Sequence, residues 1–597
     1  MMPMGLQDWI HKIEEGEGAK YVKLVIVFLG LGVLITLYDI REFTNFATTE
    51  AMDAAQLGRN IAEGRGYTTR FIRPISIAFL QRQRGQDAVV LKEELPDMVN
   101  PPVYPLILAG LMKALPFNYD MPVTVTFSKY QPEVIIAFFN QFLFLIVMGM
   151  VFFLARKLFD SDVAWTSVAL LAGTDLLWRF TVSGLPTIFL MVLFVGIAWS
   201  LVLIDQNTRE ELRSNAWFIS MALVIGLMIG LGMMTRYAYG FLLFPVVLQL
   251  LLFGGSRRVV LSLAAVAAFL LVVSPWVYRN YHLTGAPFGL ATYSIQEETP
   301  QYPSNRLERS LPRNLDAELS KASLYDLARK LFQNIAPLVE ESLPRFAGNW
   351  VGGFFLVALF VPYRNPALVR LKVFLAVTLT GAMVAQALGK THLSTDYPVV
   401  NSENLLVLVA PLACVFGASV FFIIIDQVEM VTPPVRKVAI VVFVLVMSGP
   451  LIVRFMPPRN VPLVYPPYFP PMIHDMANWM DKNEMIMSDM PWAVAWYGNR
   501  RSIWLTLDYG AEAQSDFFTI NDSQKPIQGL FLSPLTMDAK FLSQTVKSRE
   551  GAWGKFVFES LLRTNVPSGF PLKHAPGGFL PDHLFLSDRV RWKINRK

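Results

Sequence analysis

Residues 132–155 read Pro132-Glu-Val-Ile-Ile-Ala-Phe-Phe-Asn140-Gln-Phe-Leu-Phe-Leu-Ile-Val-Met-Gly-Met150-Val-Phe-Phe-Leu-Ala155. A run of this kind is long enough to cross the hydrocarbon core of a bilayer, which takes about 20 apolar residues in a helix. Ten further apolar runs predict spans at 22–38, 162–178, 184–204, 215–234, 237–254, 259–276, 347–362, 372–388, 403–425 and 437–454. The predicted fold is therefore a polytopic α-helical membrane protein with about eleven transmembrane helices.

The composition excludes several other classes of protein. Of the 597 residues, 53% are hydrophobic and only 16% are charged, whereas soluble globular chains carry about 25% charged residues. A single cysteine, Cys414, excludes an intrachain disulfide and a zinc site built from several cysteines. The net charge of +6 comes without a basic tail, so we expect no nucleic-acid partner.

Lysine and arginine in alternate short loops predict the orientation, because cytoplasmic loops of membrane proteins are rich in these residues. The loops concerned carry Arg156 and Lys157; Arg209 and Arg213; Arg257 and Arg258; Arg364, Arg370 and Lys372; and Arg436 and Lys437. The N-terminus is then cytoplasmic, and residues 39–131, 277–346 and 455–597 are extracytoplasmic. The short apolar segment 103–117 is predicted to be an interfacial helix on the outer surface. The expected location is the bacterial inner (plasma) membrane.

The predicted boundary between two domains follows the last apolar run. Residues 1–456 form the transmembrane domain, and a proline-rich linker opens the tail, 457–597. In the tail, strands at 484–488, 502–507 and 527–532 alternate with helices, which is typical of a small α/β domain. We interpret its tryptophans, Trp492 and Trp496, as core residues, with stacking on sugar rings as the alternative. No nucleotide-binding fingerprint occurs, so a nucleotide cofactor is not expected.

The first outer loop concentrates acidic residues on a predicted helix, 48–63. Glu50 and Asp53 are spaced i and i+3, which places both carboxylates on one face, and Gln56 follows one turn later. Spacing alone favours a solvated polar face.

The order of motifs along residues 20–455 resembles a known superfamily. The acidic helix ends in Gly64-Arg-Gly66-Tyr67 and is followed by Asn100-Pro101-Pro102-Val-Tyr104-Pro105. Further stretches that agree are Phe153-Leu-Ala-Arg-Lys-Leu-Phe159, Thr235-Arg236-Tyr237 and Ser274-Pro275-Trp276-Val-Tyr-Arg279-Asn280-Tyr-His282-Leu-Thr-Gly285. Together they resemble the GT-C membrane glycosyltransferases, in particular glycosyltransferase family 39, which is similar to protein O-mannosyltransferases and the lipid A aminoarabinose transferase.

The resemblance implies an enzyme that moves a sugar from a polyprenyl-phosphate donor, embedded among membrane lipids, to an extracytoplasmic acceptor. The acceptor is a protein, a lipid or a polysaccharide, and single displacement would invert the anomeric carbon. An acidic residue of the first outer loop serves as base or helps to hold a metal in such enzymes. We therefore assign Asp53, aided by Glu50, as catalytic residues. If a divalent cation (Mg²⁺ or Mn²⁺) is used, the same two carboxylates would hold it.

Cationic residues near the outer boundary are candidate ligands for the donor phosphate, because a guanidinium contacts phosphate through two N–H groups. These candidates are Arg279, Arg236, Arg70, Arg73 and Lys390. Interfacial anchoring is the alternative for arginines at the ends of spans. Residues that could line the site are Asp175, His392, Glu403, Gln56, Asn100 and Tyr104.

Two departures from the family pattern keep a second hypothesis open. Asn100 stands where the lipid A transferase has a lysine, and the stretch Ser183-Gly184-Leu185-Pro186 lacks the usual acid. The alternative is thus a catalytically inactive GT-C-like scaffold subunit of a membrane complex. A transporter fits less well, because polar groups gather in the outer loops and no repeat is evident. The sugar, the acceptor, the carrier length and the oligomeric state are not decided by these motifs.

Overall fold

The computed structural model describes most of the 597-residue chain. The described residues are 17–121, 127–210, 213–319, 322–348, 350–389, 400–428, 432–456, 469–507, 509, 515–537, 551–562, 566–577 and 583–592.

Long apolar helices make the chain a multi-pass membrane protein. Within the described ranges, 6 helices are long and apolar enough to cross a membrane: Gln131–Leu158, Thr187–Glu210, Asn215–Met233, Gly255–Thr284, Pro366–Ala387 and Leu406–Asp426. Two further helices, Pro433–Met447 and Gly449–Phe455, meet at a bend of 64° and together count as a seventh. Each of these helices covers one of the predicted apolar runs.

The remaining predicted spans, apart from the N-terminal one, are shorter or broken helices, so the count of about eleven stays a prediction. Residues 162–178 divide at Thr174, whose extended backbone separates Ser161–Gly173 from Asp175–Val182. Residues 237–254 begin as a 3-10 helix and continue as Leu243–Phe253. The run 347–362 contains helix Trp350–Ala358. The N-terminal helix, Glu17–Arg41, exposes Val25, Ile26, Phe28, Leu29 and Val33.

The loops predicted to be extracytoplasmic carry their own short elements. The first contains helices Thr49–Ala62, Pro74–Arg84 and Val103–Ala114, a 3-10 turn Val90–Lys92, and strands β1 (Thr68–Thr69), β2 (Phe71–Ile72) and β3 (Leu95–Pro96). β1 and β3 pair antiparallel. The second contains 3-10 helix Gly289–Gln296, helices Arg306–Arg309, Leu315–Leu319, Leu324–Pro337 and Leu343–Arg345, and a π turn Leu338–Ser342.

Two helices within the first outer loop, Thr49–Ala62 and Val103–Ala114, lie in direct contact. A side chain added at Gly58 would place its Cβ 2.9 Å from the Cβ of Leu108 and 3.2 Å from the carbonyl oxygen of Pro105. Glycine at this position therefore lets the backbones approach closely. Helix Val103–Ala114 confirms the predicted helical segment and buries Tyr104 and Leu108.

The tail contributes four strands to a five-stranded sheet. They are β4 (Met485–Ser488), β5 (Arg501–Trp504), β6 (Gly529–Leu532) and β7 (Leu584–Ser587), in the order β2-β5-β4-β6-β7. All neighbours run parallel except β6 and β7. The tail helices are Pro470–Asn478, Pro491–Tyr497, Asp516–Ser523, Pro534–Met537 and Gly551–Leu562.

One edge of this sheet comes from the first outer loop. β2 pairs with β5 through Phe71 opposite Ser502 and Ile72 opposite Ile503. The predicted tail strands are confirmed, but the sheet is not built from the tail alone. A two-residue strand is too short to show the alternation by which strands are recognised in a sequence. The boundary at residue 457 remains a prediction.

A buried carboxylate at the start of a membrane helix fastens the tail. Glu133 is 0% exposed, and its Oε1 accepts hydrogen bonds from Trp496 Nε1 (2.8 Å) and Tyr497 OH (2.7 Å). Its Oε2 accepts from the backbone N–H of Phe46 (2.7 Å). Three segments that are distant in sequence therefore meet on one side chain.

We expect Glu133→Ala to destabilise the protein strongly, because it leaves buried donors of Phe46, Trp496 and Tyr497 without their acceptor. Each unpaired buried donor costs about 1–3 kcal/mol. The measurement is the midpoint of thermal unfolding in detergent. Glu63→Gln, which removes a partly exposed carboxylate paired with Arg59 and Arg65, is the control and should cost about 0–1 kcal/mol for each pair. Equal midpoints for the two variants would contradict the anchoring role.

Candidate active site

Asp53 is the most strongly engaged acid of the first outer loop. It lies in helix Thr49–Ala62 and is 1% exposed. Its Oδ1 accepts from Gln56 Nε2 (3.0 Å), and its Oδ2 accepts from Arg73 Nη2 (3.0 Å) and Asn100 Nδ2 (2.9 Å). A carboxylate offers about four acceptor sites, so these three donors leave one on Oδ1.

Arg73 joins Asp53 to the second outer loop. Its Nε lies 3.3 Å from Glu308 Oε1, and its guanidinium carbon lies 3.9 Å from the centre of the Phe71 ring. Burial by itself lowers the pKa of Arg73, but the carboxylates of Glu308 and Asp53 outweigh it and raise that pKa above its ordinary value. Arg73 is therefore a permanent positive charge, and its Nη2 lies 3.0 Å from Asp53 Oδ2.

Gln56 connects the acidic helix to the strands that follow it. Its Nε2 also donates to Thr69 Oγ1 (2.9 Å), and its Oε1 accepts from the backbone N–H of Arg70 (3.1 Å). Since Arg70 lies between β1 and β2, this amide fixes the backbone immediately before Arg73.

Asp97 is a second buried acid beside Asp53. Its Oδ2 accepts from the backbone N–H groups of Asn100 (2.7 Å) and Val99 (3.2 Å), closing a tight turn. The Asn100 side chain lies between the two acids, with Nδ2 also 3.4 Å from Asp97 Oδ1. Burial and the charge of Asp53 raise the pKa of Asp97 from 3.8 to about 6.

Arg279 reaches the same turn from the end of helix Arg258–Thr284. Its Nη1 donates to the carbonyl oxygen of Asp97 (3.0 Å) and to Asn280 Oδ1 (2.9 Å). The guanidinium lies over the rings of Trp276 (4.4 Å) and Tyr67 (5.3 Å). Two aromatic faces and a carbonyl therefore hold a cation next to the pair of acids.

A hydrogen bond between Tyr104 and Gly184 joins the first outer loop to residues 183–186, the stretch that lacks the acid usual in the GT-C pattern. Tyr104 OH donates to the Gly184 carbonyl oxygen (2.8 Å). Gly184 has φ +76°, and a Cβ built on it would lie 2.5 Å from the Phe46 ring. No side chain fits at this point, so the loop meets the site through its backbone.

The chain is similar to known proteins in part of its sequence and in its fold. Residues 126–278 match the family described as dolichyl-phosphate-mannose-protein mannosyltransferase. Solved GT-C glycosyltransferases superpose on nearly the whole chain. The chain has the GT-C fold. No curated protein matches its sequence.

Two solved GT-C structures illustrate the likeness. ArnT from Cupriavidus metallidurans, bound to undecaprenyl phosphate, matches with a TM-score of 0.54 at 10% identity, covering 95% of this chain and 98% of its own. The oligosaccharyltransferase AglB from Archaeoglobus fulgidus, in complex with an inhibitory peptide and a dolichol-phosphate, matches with a TM-score of 0.53 at 12% identity. That match covers 90% of this chain and 72% of AglB.

Glu50, Arg70 and Arg73 do not have the surroundings that the sequence predicted for them. Glu50 is exposed in the first turn of the helix, whereas Asp53 faces inwards, so the two carboxylates do not share one environment. Arg70 donates to the carbonyl oxygen of Asn499 in the tail. Arg73, with its two carboxylate partners, is an ion-pair residue and not an open phosphate ligand.

The other described candidates, Arg236, Glu403 and Asp175, form ion pairs with residues other than Asp53. Arg236 Nη2 lies 3.0 Å from Glu403 Oε1. Asp175 pairs with Arg179 Nε (2.8 Å) and Arg454 Nε (3.0 Å). Lys390 and His392 fall outside the described residues.

The predicted metal ligands do not fit a cation in this arrangement. Asp53 already accepts from three donors, one of them a guanidinium, and Glu50 points elsewhere. Across the described part of the chain, no group of three or more His, Cys, Asp or Glu residues is placed to hold a metal ion. Among solved relatives in fold, one Archaeoglobus fulgidus oligosaccharyltransferase structure is a complex with Zn and sulfate.

Asp97 and Glu308 were not identified from the sequence. Asp97 stands three residues before Asn100, the spacing of a turn in which an aspartate accepts from the backbone ahead of it. That signal was available in the stretch preceding Asn100-Pro101-Pro102. Glu308 lies about 250 residues from Asp53, and only the fold brings their common partner Arg73 between them.

We expect Asp97→Asn to change how stability depends on pH. Because the folded protein holds the Asp97 proton more tightly than the unfolded chain, with its ordinary value of 3.8, stability falls as pH rises from about 4 through about 6. The variant has no carboxyl group at this position, so it does not lose stability in this pH range for this reason. Its free energy of unfolding relative to wild type should therefore increase between pH 4 and 6 and stay constant above.

Denaturant unfolding in detergent at several pH values measures this difference. Asp522→Asn, on the exposed face of a tail helix, is the control and should run parallel to wild type. A parallel curve for Asp97→Asn as well would show that Asp97 titrates normally.

Proposed function

We propose that this GT-C chain is a membrane glycosyltransferase that moves a sugar from a polyprenyl-phosphate donor to an extracytoplasmic acceptor. The observation that carries the proposal is the buried Asp53, which is ion-paired with Arg73 and bonded to Asn100, in the turn that Arg279 contacts at the Asp97 carbonyl oxygen. A base and a cation at neighbouring points are what displacement of a phosphate by a hydroxyl requires. Known GT-C structures with bound undecaprenyl phosphate or dolichol-phosphate support the donor class.

Asp53 is proposed to act on the acceptor. Its remaining acceptor site, on Oδ1, would take a hydrogen bond from the acceptor hydroxyl and then its proton. The acceptor oxygen bonds to the anomeric carbon as the bond from that carbon to the phosphate oxygen breaks. The electron pair of the broken bond leaves with the polyprenyl phosphate, and the configuration at the anomeric carbon is inverted.

Arg279 is proposed to receive the charge that develops on the departing phosphate. The described contacts of its guanidinium use Nη1, so its Nε and Nη2 hydrogens are the donors available to a ligand. Trp276 and Tyr67 hold the plane of the group, which reduces the entropy lost on binding. Arg236, already paired with Glu403, is a second cation on the protein's predicted outer side.

An inactive scaffold is the alternative. The observation that favours it is Gly184, where the Phe46 ring leaves no room for a side chain. That loop offers a backbone carbonyl where an acid is expected, and the carbonyl is taken by Tyr104. The two functions differ in a direct assay, since only an enzyme releases polyprenyl phosphate. A stoichiometric partner together with no turnover would support the scaffold.

We expect Asp53→Asn to reduce sugar transfer by about 10²–10⁴-fold, the usual contribution of a general base. Asparagine keeps the size of the side chain but cannot take a proton. The measurement is transfer from a labelled lipid-phosphate sugar by the full chain in liposomes. Glu50→Gln tests the predicted pairing, and its exposed position predicts a loss of less than about tenfold. Wild-type rates in Asp53→Asn would exclude Asp53 as the base.

We expect Arg279→Lys to raise KM for the lipid donor by about tenfold, because lysine cannot replace the planar guanidinium between Trp276 and Tyr67. Inhibition by added polyprenyl phosphate should weaken in parallel, since donor and product share the phosphate. Arg258→Lys, at the opposite end of the same helix, is the control. An unchanged KM with unchanged product inhibition would place the phosphate elsewhere.

A further inference from the structure

Helix Leu324–Pro337 is amphipathic in the reverse sense from a helix of a soluble protein. Its outward face carries large apolar side chains, with Leu324 86%, Tyr325 75% and Phe332 74% exposed. Its inward face is polar, with Asp326, Lys330 and Asn334 buried. The buried positions recur every four residues, so they form one stripe on the side opposite the apolar residues.

The inward face is fully engaged by hydrogen bonds. Asp326 completes a capping box with Ser323 and accepts from Gln301 Nε2 (3.1 Å). Lys330, only 3% exposed, donates to the carbonyl oxygens of Ile295 and Glu297. These contacts fix the rotation of the helix about its axis, because a turn in either direction would leave buried polar groups unpaired.

The helix is also tied to the end of a candidate membrane span. Asn334 Nδ2 donates to the carbonyl oxygen of Ala387 (2.9 Å), the last residue of helix Pro366–Ala387. Arg370 and Lys372 lie at the other end of that span, which is the predicted cytoplasmic side. The helix thus lies at the level where the span leaves the hydrocarbon on the predicted outer side.

Apolar side chains are also exposed in the last turn of this span and after the helix in sequence. Val384, in the last turn of the same span, is 40% exposed, and Trp350, which follows the helix in sequence, is 64% exposed. Tryptophan and tyrosine are enriched where the bilayer meets water. Because Asn334 bonds the helix to the end of this span, the exposed apolar face lies beside the point where the span ends on the predicted outer side.

We propose that the outward face of helix Leu324–Pro337 is inserted in the outer leaflet of the membrane, with its axis in the plane of the lipid headgroups. The helix is about 21 Å long, and an interfacial helix buries its apolar face about 5–10 Å into the boundary between headgroups and acyl chains. Phe332 and Leu324 lie in the acyl region, whereas the exposed polar side chains of Arg329 and Gln333 reach the headgroups. The helix is then a second membrane attachment beside the spans, independent of the activity proposed for the chain.

The test is the depth of nitroxide labels on the full chain in phosphatidylcholine and phosphatidylglycerol nanodiscs. Labels are placed at Phe332→Cys and, as the matched control one residue away, at Gln333→Cys. Leu271→Cys, 72% exposed on a span, is the lipid reference, and Ser523→Cys on the tail is the water reference. Native Cys414 is fully buried, so unmodified protein serves as the labelling blank.

We expect the Phe332 label to collide with oxygen as often as the Leu271 label, and to be shielded from a water-soluble nickel complex. The computed depth should be about 5–10 Å below the phosphates, with the Gln333 label shallower. Leu324→Cys repeats the measurement at a second site. Nickel accessibility equal to that of Ser523 would overturn the proposal in favour of a water-exposed face. Shielding from both oxygen and nickel would overturn it in favour of a protein partner or a second copy.

Discussion

The outer half of the molecule depends on one buried guanidinium, that of Arg73. Asp53 and Glu308 come from loops far apart in sequence, and each would be costly to bury without a counter-charge. Arg73 satisfies both at once, at 3.0 Å and 3.3 Å. Because a guanidinium is planar and always protonated, it also sets the direction in which both carboxylates point. The geometry of the candidate site is thus a consequence of charge neutralisation between two loops.

Residues next to these ion pairs link the site to the tail. Next to Glu308, Arg309 donates to the carbonyl oxygen of Leu505 (2.7 Å), immediately after β5. Next to Arg73, β2 pairs with β5. Glu133 holds the tail again through Trp496 and Tyr497. The tail therefore packs against helix Thr49–Ala62, which carries Asp53, and against β2, which precedes Arg73.

Much of the fold was predictable from the sequence, because membrane spans and tail strands carry strong local patterns. The apolar run at 132–155 is helix Gln131–Leu158, and β4, β5 and β6 overlap the three predicted tail strands, whereas β7 was not predicted. The placement of Asp53 with Gln56 and Asn100 agrees with the motifs that pointed to them. What the sequence did not show is non-local: the partnership of Arg73 with Glu308, the turn at Asp97 beside Asp53, and the separation of Glu50. Each of these depends on which face of a helix or loop is covered by a distant segment.

The pairing of β2 with β5 has a consequence for how the protein is made. Phe71 is among the first residues to leave the membrane, and its partner Ser502 follows roughly 430 residues later, so this contact is of very high sequence separation. Until the tail is synthesised, β2 in the loop that contains Phe71 has no β5 to pair with. A chain that ends after the last candidate span, at Phe455, but before β5 would contain the candidate spans without the sheet that joins this loop to the tail.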